Sequence, residues 1–167
     1  MNCLAIIDMQ KGFLNEYTGH LPEKIRNFLE HHDFDAVIAT RYSNTPETAC
    51  YQLGNWKACM KNTEDAELVP EIMPYLQKVF EKSTFSGLTS ACKAFLKEHQ
   101  FEKVWFCGVN TDCCVLATML ACYDFGQDCA VIGDLCASTV GIPAHESALE
   151  LIRHNMTPER VVRSDAL

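Results

Sequence analysis

The sequence predicts an α/β protein, a three-layer α/β/α sandwich around a mostly parallel, doubly wound sheet. Short apolar segments without polar–apolar alternation recur along the chain, which is the pattern of strands buried on both faces of a parallel sheet. Segments with apolar residues at helical spacing separate them. Because crossovers between parallel strands are right-handed, the helices are expected to cover both faces of the sheet.

Six strands are predicted from these apolar segments and from the turn residues that follow them. CLAII, AVIAT, VWFC and DCAVIG are apolar almost throughout, whereas the third and sixth strands are assigned from shorter runs. The predicted strands span residues 3–7, 36–40, 77–81, 103–107, 128–133 and 161–162.

The helices are predicted from apolar periodicity and from their terminal residues. Pro22 suits the first turn of a helix over 22–31, and Gly126 suits the residue after the helix that follows the fourth strand. Two further helices are predicted over 88–100 and 143–153. Segment 45–69 has turn residues and scattered charges, and only a short helix near 51–60 is expected within it.

Composition predicts a single domain over residues 1–167 and excludes several classes of function. The net charge is −8, and there is no basic face of the kind that binds nucleic acid. The chain shows neither an apolar run long enough to cross a membrane nor the pattern of a signal peptide after Met1. Its ten cysteines form no CxxC motif, so we expect reduced thiols in a cytoplasmic protein.

Chemically useful side chains follow four of the predicted strands. Asp8, Arg41 and Lys82 stand at or just past the ends of the first three strands, and Cys114 follows the fourth. The carboxyl ends of parallel strands share one edge of the sheet, where ligands of such folds bind. We therefore expect an acid, a base and a thiol to meet at this edge.

The most informative stretch is FCGVNTDCCVLATMLACYDFG, residues 106–126. It predicts a strand, a tight turn at Gly108, cap-forming residues at 110–112, and a helix whose first turn holds Cys113 and Cys114. The partial positive charge of a helix N-terminus would lower the pKa of a thiol there, and its N–H groups would hold an oxyanion. The alternative is a pair of small, buried structural cysteines.

Together, these side chains indicate a covalent hydrolase. Lys82 would lower the pKa of the thiol, Asp8 would take the thiol proton, and the thiolate would attack a carbonyl carbon to form an acyl-enzyme. Taken singly, Asp8 is more simply a turn residue and Lys82 a surface lysine. Their joint placement at one edge favours catalysis.

Three segments resemble the isochorismatase-like cysteine hydrolase superfamily, which includes nicotinamidases, N-carbamoylsarcosine amidases and isochorismatases. LAIIDMQKGF resembles its first strand and catalytic Asp, FEKSTFSG its lysine segment, and CGVNTDCCVLATMLACYDFG its nucleophile turn. The resemblance implies Cys114 as nucleophile, Asp8 as general base and Lys82 as third triad member. It also implies a non-proline cis peptide at Val109–Asn110, an oxyanion site at this turn that includes the Cys114 amide, and a homo-oligomer, a dimer or larger.

The chain departs from the nicotinamidase pattern. TRYS, residues 40–43, replaces the metal-binding Asp-x-His, so neither a metal nor another cofactor is expected. Arg41 is a candidate for an anionic or carbonyl group of the substrate, or else pairs with an acidic neighbour. The remaining candidate substrate-binding residues are Phe13, Tyr42, Phe85 and Cys113, and His145 is expected to be structural.

The predicted function is metal-independent hydrolysis of a small amide or related C–N bond in a small-molecule substrate. The main alternative is a non-catalytic or redox-responsive binding protein on the same fold. A phospho-acceptor receiver domain fits poorly, because it requires an Asp after the third strand and a Lys after the fifth. This chain has Lys82 and Asp134 in those places.

Overall fold

A computed structural model describes all residues from 1 to 167 and contains one six-stranded parallel sheet. The strand order is β3-β2-β1-β4-β5-β6, so the direction of winding reverses between β1 and β4. The strands are β1 (Asn2–Ile7), β2 (Ala36–Tyr42), β3 (Lys78–Lys82), β4 (Lys103–Val109), β5 (Cys129–Ala137) and β6 (Val161–Val162). The predicted fold class and all six strands are confirmed.

The structure has five α-helices. The four longer predicted helices, over 22–31, after the fourth strand, and over 88–100 and 143–153, are confirmed with shifts of a few residues at their ends. The five helices are α1 (Leu21–Leu29), α2 (Ala49–Gln52), α3 (Ser90–His99), α4 (Leu116–Asp124) and α5 (Ile142–Asn155). Because the strand order reverses beside β1, right-handed crossovers place these helices on opposite faces.

The core is built on the two central strands. Residues 3–7 of β1 are buried throughout, and they belong to a cluster of 39 buried residues that both helix layers cover. Burial on both faces explains why these strands lack alternation.

The irregular segment after β2 differs from the sequence prediction. The helix expected near 51–60 is wrong: α2 is a single turn that Thr48 caps by accepting a hydrogen bond from Tyr51 N. Gly54 and Asn55 follow it, and Asn55 has a φ of +50°, which a helix does not continue through. Gln10 anchors the rest of the segment, since its buried Nε2 donates to the carbonyls of Tyr42 and Ala66.

Candidate active site

The site lies where the winding of the sheet reverses, at the carboxyl ends of the strands. Asp8 directly follows β1, Lys82 ends β3, and the nucleophile turn follows β4. Strand β1 lies between β2 and β4, so three chain segments distant in sequence meet here.

Asp8 and Lys82 form a fully buried ion pair. Lys82 Nζ lies 2.7 Å from Asp8 Oδ2, and both side chains are 0% exposed. Thr40 Oγ1 donates to Asp8 Oδ1 at 2.7 Å, whereas no aligned hydrogen-bond donor faces Oδ2. Both oxygens of Asp8 are therefore held in place, Oδ1 by Thr40 and Oδ2 by the Lys82 ammonium.

Lys82 is held by the loop that follows its own strand. Its Nζ donates to the carbonyls of Thr84 and Phe85, at 2.9 and 3.0 Å, and lies 5.0 Å from the centre of the Tyr42 ring. Burial lowers the pKa of Lys82, but Asp8 and Cys114 outweigh it, so the net shift is upward. The ammonium is therefore charged at neutral pH.

The nucleophile turn contains a cis peptide bond between Val109 and Asn110. A π-helical turn, Thr111–Val115, follows it and leads directly into α4. The carbonyl of Asn110 accepts hydrogen bonds from the N–H groups of Cys113 and Val115, which positions both cysteines at the start of the helix.

The predicted capping role of residues 110–112 is wrong. No side chain caps this helix start, because Asn110 Oδ1 accepts from Thr139 N instead. Thr111 Oγ1 is hydrogen-bonded to Nδ1 of His145 at 2.8 Å, which gives His145 a contact with the nucleophile turn. These tertiary contacts fasten the turn to the segments after β5.

The two adjacent thiols differ in their surroundings. The Cys113 thiol, burial and the charge of Asp8 raise the pKa of Cys114, and Lys82 opposes them only in part. The Cys114 thiol in turn lowers the pKa of Cys113. The shift at Cys114 is therefore upward, the reverse of the lowered pKa that the sequence predicts. A thiol with a raised pKa requires a nearby base for its attack on a substrate.

Thr118 ties the nucleophile helix to the lysine loop. Its Oγ1 donates to the carbonyl of Cys114 at 2.6 Å and accepts from Gly87 N at 2.8 Å. Sequence reasoning missed this residue, because a threonine inside a helix carries no signal of such a contact.

A cavity of about 900 Å³ opens beside the two cysteines. It is lined by Gly12, Phe13, Leu14, Asn15, Tyr42, Ala49, Cys50, Leu53, Gly54, Trp56, Ser83, Thr84, Phe85, Asn110, Cys113, Cys114 and Thr139. Asp8 and Lys82 lie beneath this lining, beside Cys114. The arrangement places a thiol between a substrate-sized cavity and a buried carboxylate.

Four of the five candidate substrate-binding residues line the cavity: Phe13, Tyr42, Phe85 and Cys113. Arg41 does not, since its partly exposed guanidinium pairs with Glu81 at 3.1 Å. β2 continues through Tyr42, and alternation along a strand directs neighbouring side chains to opposite faces.

Other lining residues come from segments whose sequence offers no specific signal. Leu14, Cys50, Leu53 and Thr139 lie in loops or in the short α2, and only the tertiary structure brings them together. Trp56 stacks against Phe13 with ring centres 5.8 Å apart, so the two aromatic rings form one wall.

Metal-binding clusters and membrane-spanning helices are both absent from the structure. No three His, Cys, Asp or Glu side chains are grouped so that they would hold a metal ion. None of the helices combines the length and the apolar character that crossing a bilayer requires.

Fold and site together define a doubly wound α/β protein whose thiol, carboxylate and ammonium meet at the carboxyl edge of the sheet. The chain belongs to the isochorismatase family, because the model of the Isochorismatase domain matches residues 2–161. Members of this family are hydrolases that act on C–N amide bonds or on ester bonds, nicotinamidase and N-carbamoylsarcosine amidase among them.

A curated relative and two solved structures illustrate the similarity. The secreted isochorismatase effector Isc1 of Phytophthora sojae is 31% identical over 159 residues, which cover 91% of this chain and 69% of Isc1. An isochorismatase-like hydrolase from Alkaliphilus metalliredigens superposes with a TM-score of 0.86 at 20% identity, covering 99% of this chain and 96% of the other. N-carbamoylsarcosine amidase from Thermoplasma acidophilum gives a TM-score of 0.83 at 20% identity, with 99% and 98% covered.

Proposed function

We propose that this protein hydrolyses a small amide or related C–N bond through an acyl-enzyme on Cys114. The observation that carries the proposal is the buried Asp8–Lys82 pair beneath a cavity-lining thiol. A buried charge pair is costly to desolvate, and a packed apolar pair at the same place would often be as stable or more so. Catalysis gives a reason for its presence.

In the proposed first half-reaction, the Asp8 carboxylate accepts the Cys114 proton as the sulfur attacks the carbonyl carbon of the substrate. Lys82 stabilises the developing negative charge, and N–H groups of the turn, including that of Cys114, hold the oxyanion. The C–N bond then breaks, and the leaving nitrogen takes the proton from Asp8. This releases ammonia or an amine and leaves a thioester on Cys114.

In the second half-reaction, water attacks the thioester. Asp8 accepts a proton from this water, and the proton returns to the Cys114 sulfur as the carboxylic acid leaves. The raised pKa of Cys114 is consistent with this scheme, because a thiol that is protonated at rest needs a base in each cycle.

The test is ammonia release from a panel of small carboxamides and ureido compounds by wild type, Cys114→Ala and Lys82→Met. We expect turnover by wild type, and a loss of at least about 100-fold in both variants. Lys103→Met is the matched control, because Lys103 is the first residue of β4, at the amino end of the strands and far from the site, and pairs with Asp128. Turnover that survives Cys114→Ala would contradict the proposal.

An acyl-enzyme has a mass signature that a binding protein lacks. Rapid quenching during turnover should show the acyl group on the peptide that contains Cys114, and hydroxylamine should remove it. Activity should also be unaffected by a chelator, because the proposed reaction uses no metal. A protein that binds these amides but never acquires the adduct or releases ammonia would match the alternative, a non-catalytic or redox-responsive binding protein.

The homo-oligomeric state and the cytoplasmic location remain predictions. Val140 and Ile142 are 71% and 69% exposed, and apolar side chains of this kind are commonly covered in oligomers. Light scattering on the purified protein measures the oligomeric state directly, and a single-chain mass would contradict it.

A further inference from the structure

The lining of the cavity carries no formal charge. None of its seventeen residues is Asp, Glu, Lys, Arg or His, and its polar members are amides, hydroxyls and thiols. The charges nearest to the thiol, on Asp8 and Lys82, neutralise each other at 2.7 Å beneath the lining. A charged substrate would therefore leave water without meeting a counter-charge, which is strongly unfavourable.

The surrounding charges do not compensate for this lack. Arg41, the cation that the sequence offers next to the site, is engaged by Glu81 on the outside of the sheet. Lys61 lines a neighbouring polar recess of about 330 Å³, which shares Ser83 with the cavity and also contains Glu47, Glu81 and Lys82. The whole chain carries a net charge of −8, which repels anions at longer range.

Tyr42 lines this uncharged cavity without adding an exposed polar group to it. The residue is 2% exposed, and its buried hydroxyl lies beside the side chains of Cys50 and Thr48. The contribution of Tyr42 to the lining is therefore its aromatic ring.

The aromatic wall indicates the shape of the substrate. Phe13 and Trp56 are nearly parallel, with 9° between their planes, and Tyr42 meets Trp56 edge-on at 5.6 Å. Such surfaces favour planar, apolar groups through stacking and burial. Phe85 lines the same cavity and is 54% exposed, so it offers further apolar surface to a ligand.

We infer that the site selects uncharged substrates with a planar, apolar acyl group, and that it excludes anions. As a statement about the substrate, this rests on the proposed function. As a statement about what enters the cavity, it is testable even if no amide is hydrolysed.

The first test compares iodoacetamide with iodoacetate, which differ only in charge at the end remote from the reacting carbon. Both alkylate Cys114 by displacement of iodide, and Cys113→Ala removes the neighbouring thiol from the mass spectrum. The measured quantity is the rate of Cys114 alkylation by iodoacetamide divided by the rate with iodoacetate. We expect this ratio to be on the order of tenfold larger in the folded protein than in the urea-unfolded protein. Equal ratios in the two states would overturn the inference.

The second test supplies the missing charge. Leu53 lines the cavity but is 87% exposed, so Leu53→Arg places a cation at its mouth without disturbing the core. We expect the relative rate with iodoacetate to rise at least about threefold in Leu53→Arg, and not in the uncharged Leu53→Gln. No difference between these two variants would contradict the role assigned to charge.

The third test addresses the planar acyl group. Calorimetry compares the binding of benzamide and of its saturated counterpart, cyclohexanecarboxamide, to the Cys114→Ala protein. We expect tighter binding of benzamide, because its ring can stack on the aromatic wall. Equal affinities would contradict the selection of planar groups. If neutral probes are favoured and no amide is turned over, the proposed function fails and the inference stands.

Discussion

Replacing Lys82 with methionine tests both the stability and the chemistry of the site. Methionine keeps most of the volume of the lysine side chain but removes the ammonium that faces Asp8 at 2.7 Å. The carboxylate is then left buried without a counter-charge. The carbonyls of Thr84 and Phe85 lose the donor that they share.

The expected magnitude follows from burial. Breaking a buried ion pair by removing one partner costs about 3–5 kcal/mol, so we expect the free energy of unfolding to fall by about 4 kcal/mol. For a domain of this size, that corresponds to a decrease in Tm of roughly 8–16 °C. Since domains are stable by only about 5–15 kcal/mol, the variant should fold but be close to its limit.

The assay is equilibrium urea unfolding at pH 7, with Lys11→Met as the matched control. Lys11 Nζ also lies 2.7 Å from a carboxylate oxygen, that of Glu67, but this pair is exposed to solvent. Because water screens it, Lys11→Met should leave the unfolding midpoint nearly unchanged. Equal decreases in the free energy of unfolding in the two variants would refute the reasoning that burial determines how much an ion pair stabilises the protein.

A double variant separates the charge from the packing. Asp8→Asn in the Lys82→Met background removes the uncompensated carboxylate, so the double variant should be more stable than Lys82→Met by about 2 kcal/mol. If the second substitution instead adds a further loss, the uncompensated charge is not the cause of the instability.

The pH dependence of the same pair has a defined sign. The pKa of Lys82 is raised in the folded protein from its ordinary value of 10.5, so folding favours the protonated form. The stabilisation is complete below pH 10.5 and is lost as the pH rises through the folded pKa. The difference between wild type and Lys82→Met in urea unfolding should therefore be constant near neutral pH and shrink above 10.5. A difference that grows there would contradict the direction of the shift.

Three other predictions concern the turn and its supports. Cys113 should be alkylated at lower pH than Cys114, because the pKa of Cys113 is lowered and that of Cys114 is raised. Fragment-ion mass spectrometry distinguishes the two residues, and the reverse order would contradict the assigned directions. Gly108→Ala should lower the midpoint of urea unfolding far more than Gly126→Ala does. Both glycines have positive φ, but only at Gly108 would an added Cβ collide with a main-chain oxygen of β1. Equal midpoints of the two variants would refute this. Thr118→Val should destabilise by about 2 kcal/mol in urea, since it leaves a buried N–H of the lysine loop without an acceptor, and an unchanged midpoint would show that the contact is replaced.

Much of the fold was predictable because its signals are local. The runs of residues 3–7 and 36–40 are apolar on both sides of the strand, which happens when helices cover both faces of a sheet. Pro22 in the first turn of α1 and Gly126 after α4 have the backbone conformations that these two residue types favour. The short helix expected near 51–60 is wrong because tertiary hydrogen bonds hold that segment: Asn44 Nδ2 donates to the carbonyls of Trp56 and Ala58, and Asn44 N donates to that of Cys59.

The site was predictable to the extent that strand ends determine it. Asp8, Lys82 and Cys114 are brought to one edge by the topology of a parallel sheet, so their positions in sequence were sufficient. Arg41 stands at a similar place in the sequence, but the alternation of β2 turns it outward to Glu81. The position of a residue in the sequence shows that it lies at the end of a strand. Only the structure shows on which face of the sheet its side chain lies.

The sequence by itself determined the parallel sheet, the order of its elements and the meeting of a carboxylate, an ammonium and a thiol. These follow from apolar patterning and from chain direction, which are local properties. Only the tertiary structure decided the direction of the thiol pKa shifts, the uncharged lining of the cavity and the burial of the Tyr42 hydroxyl. Each of these depends on burial and on which distant groups lie within a few ångströms, because the energies of charges and hydrogen bonds depend on distance and on the exclusion of water.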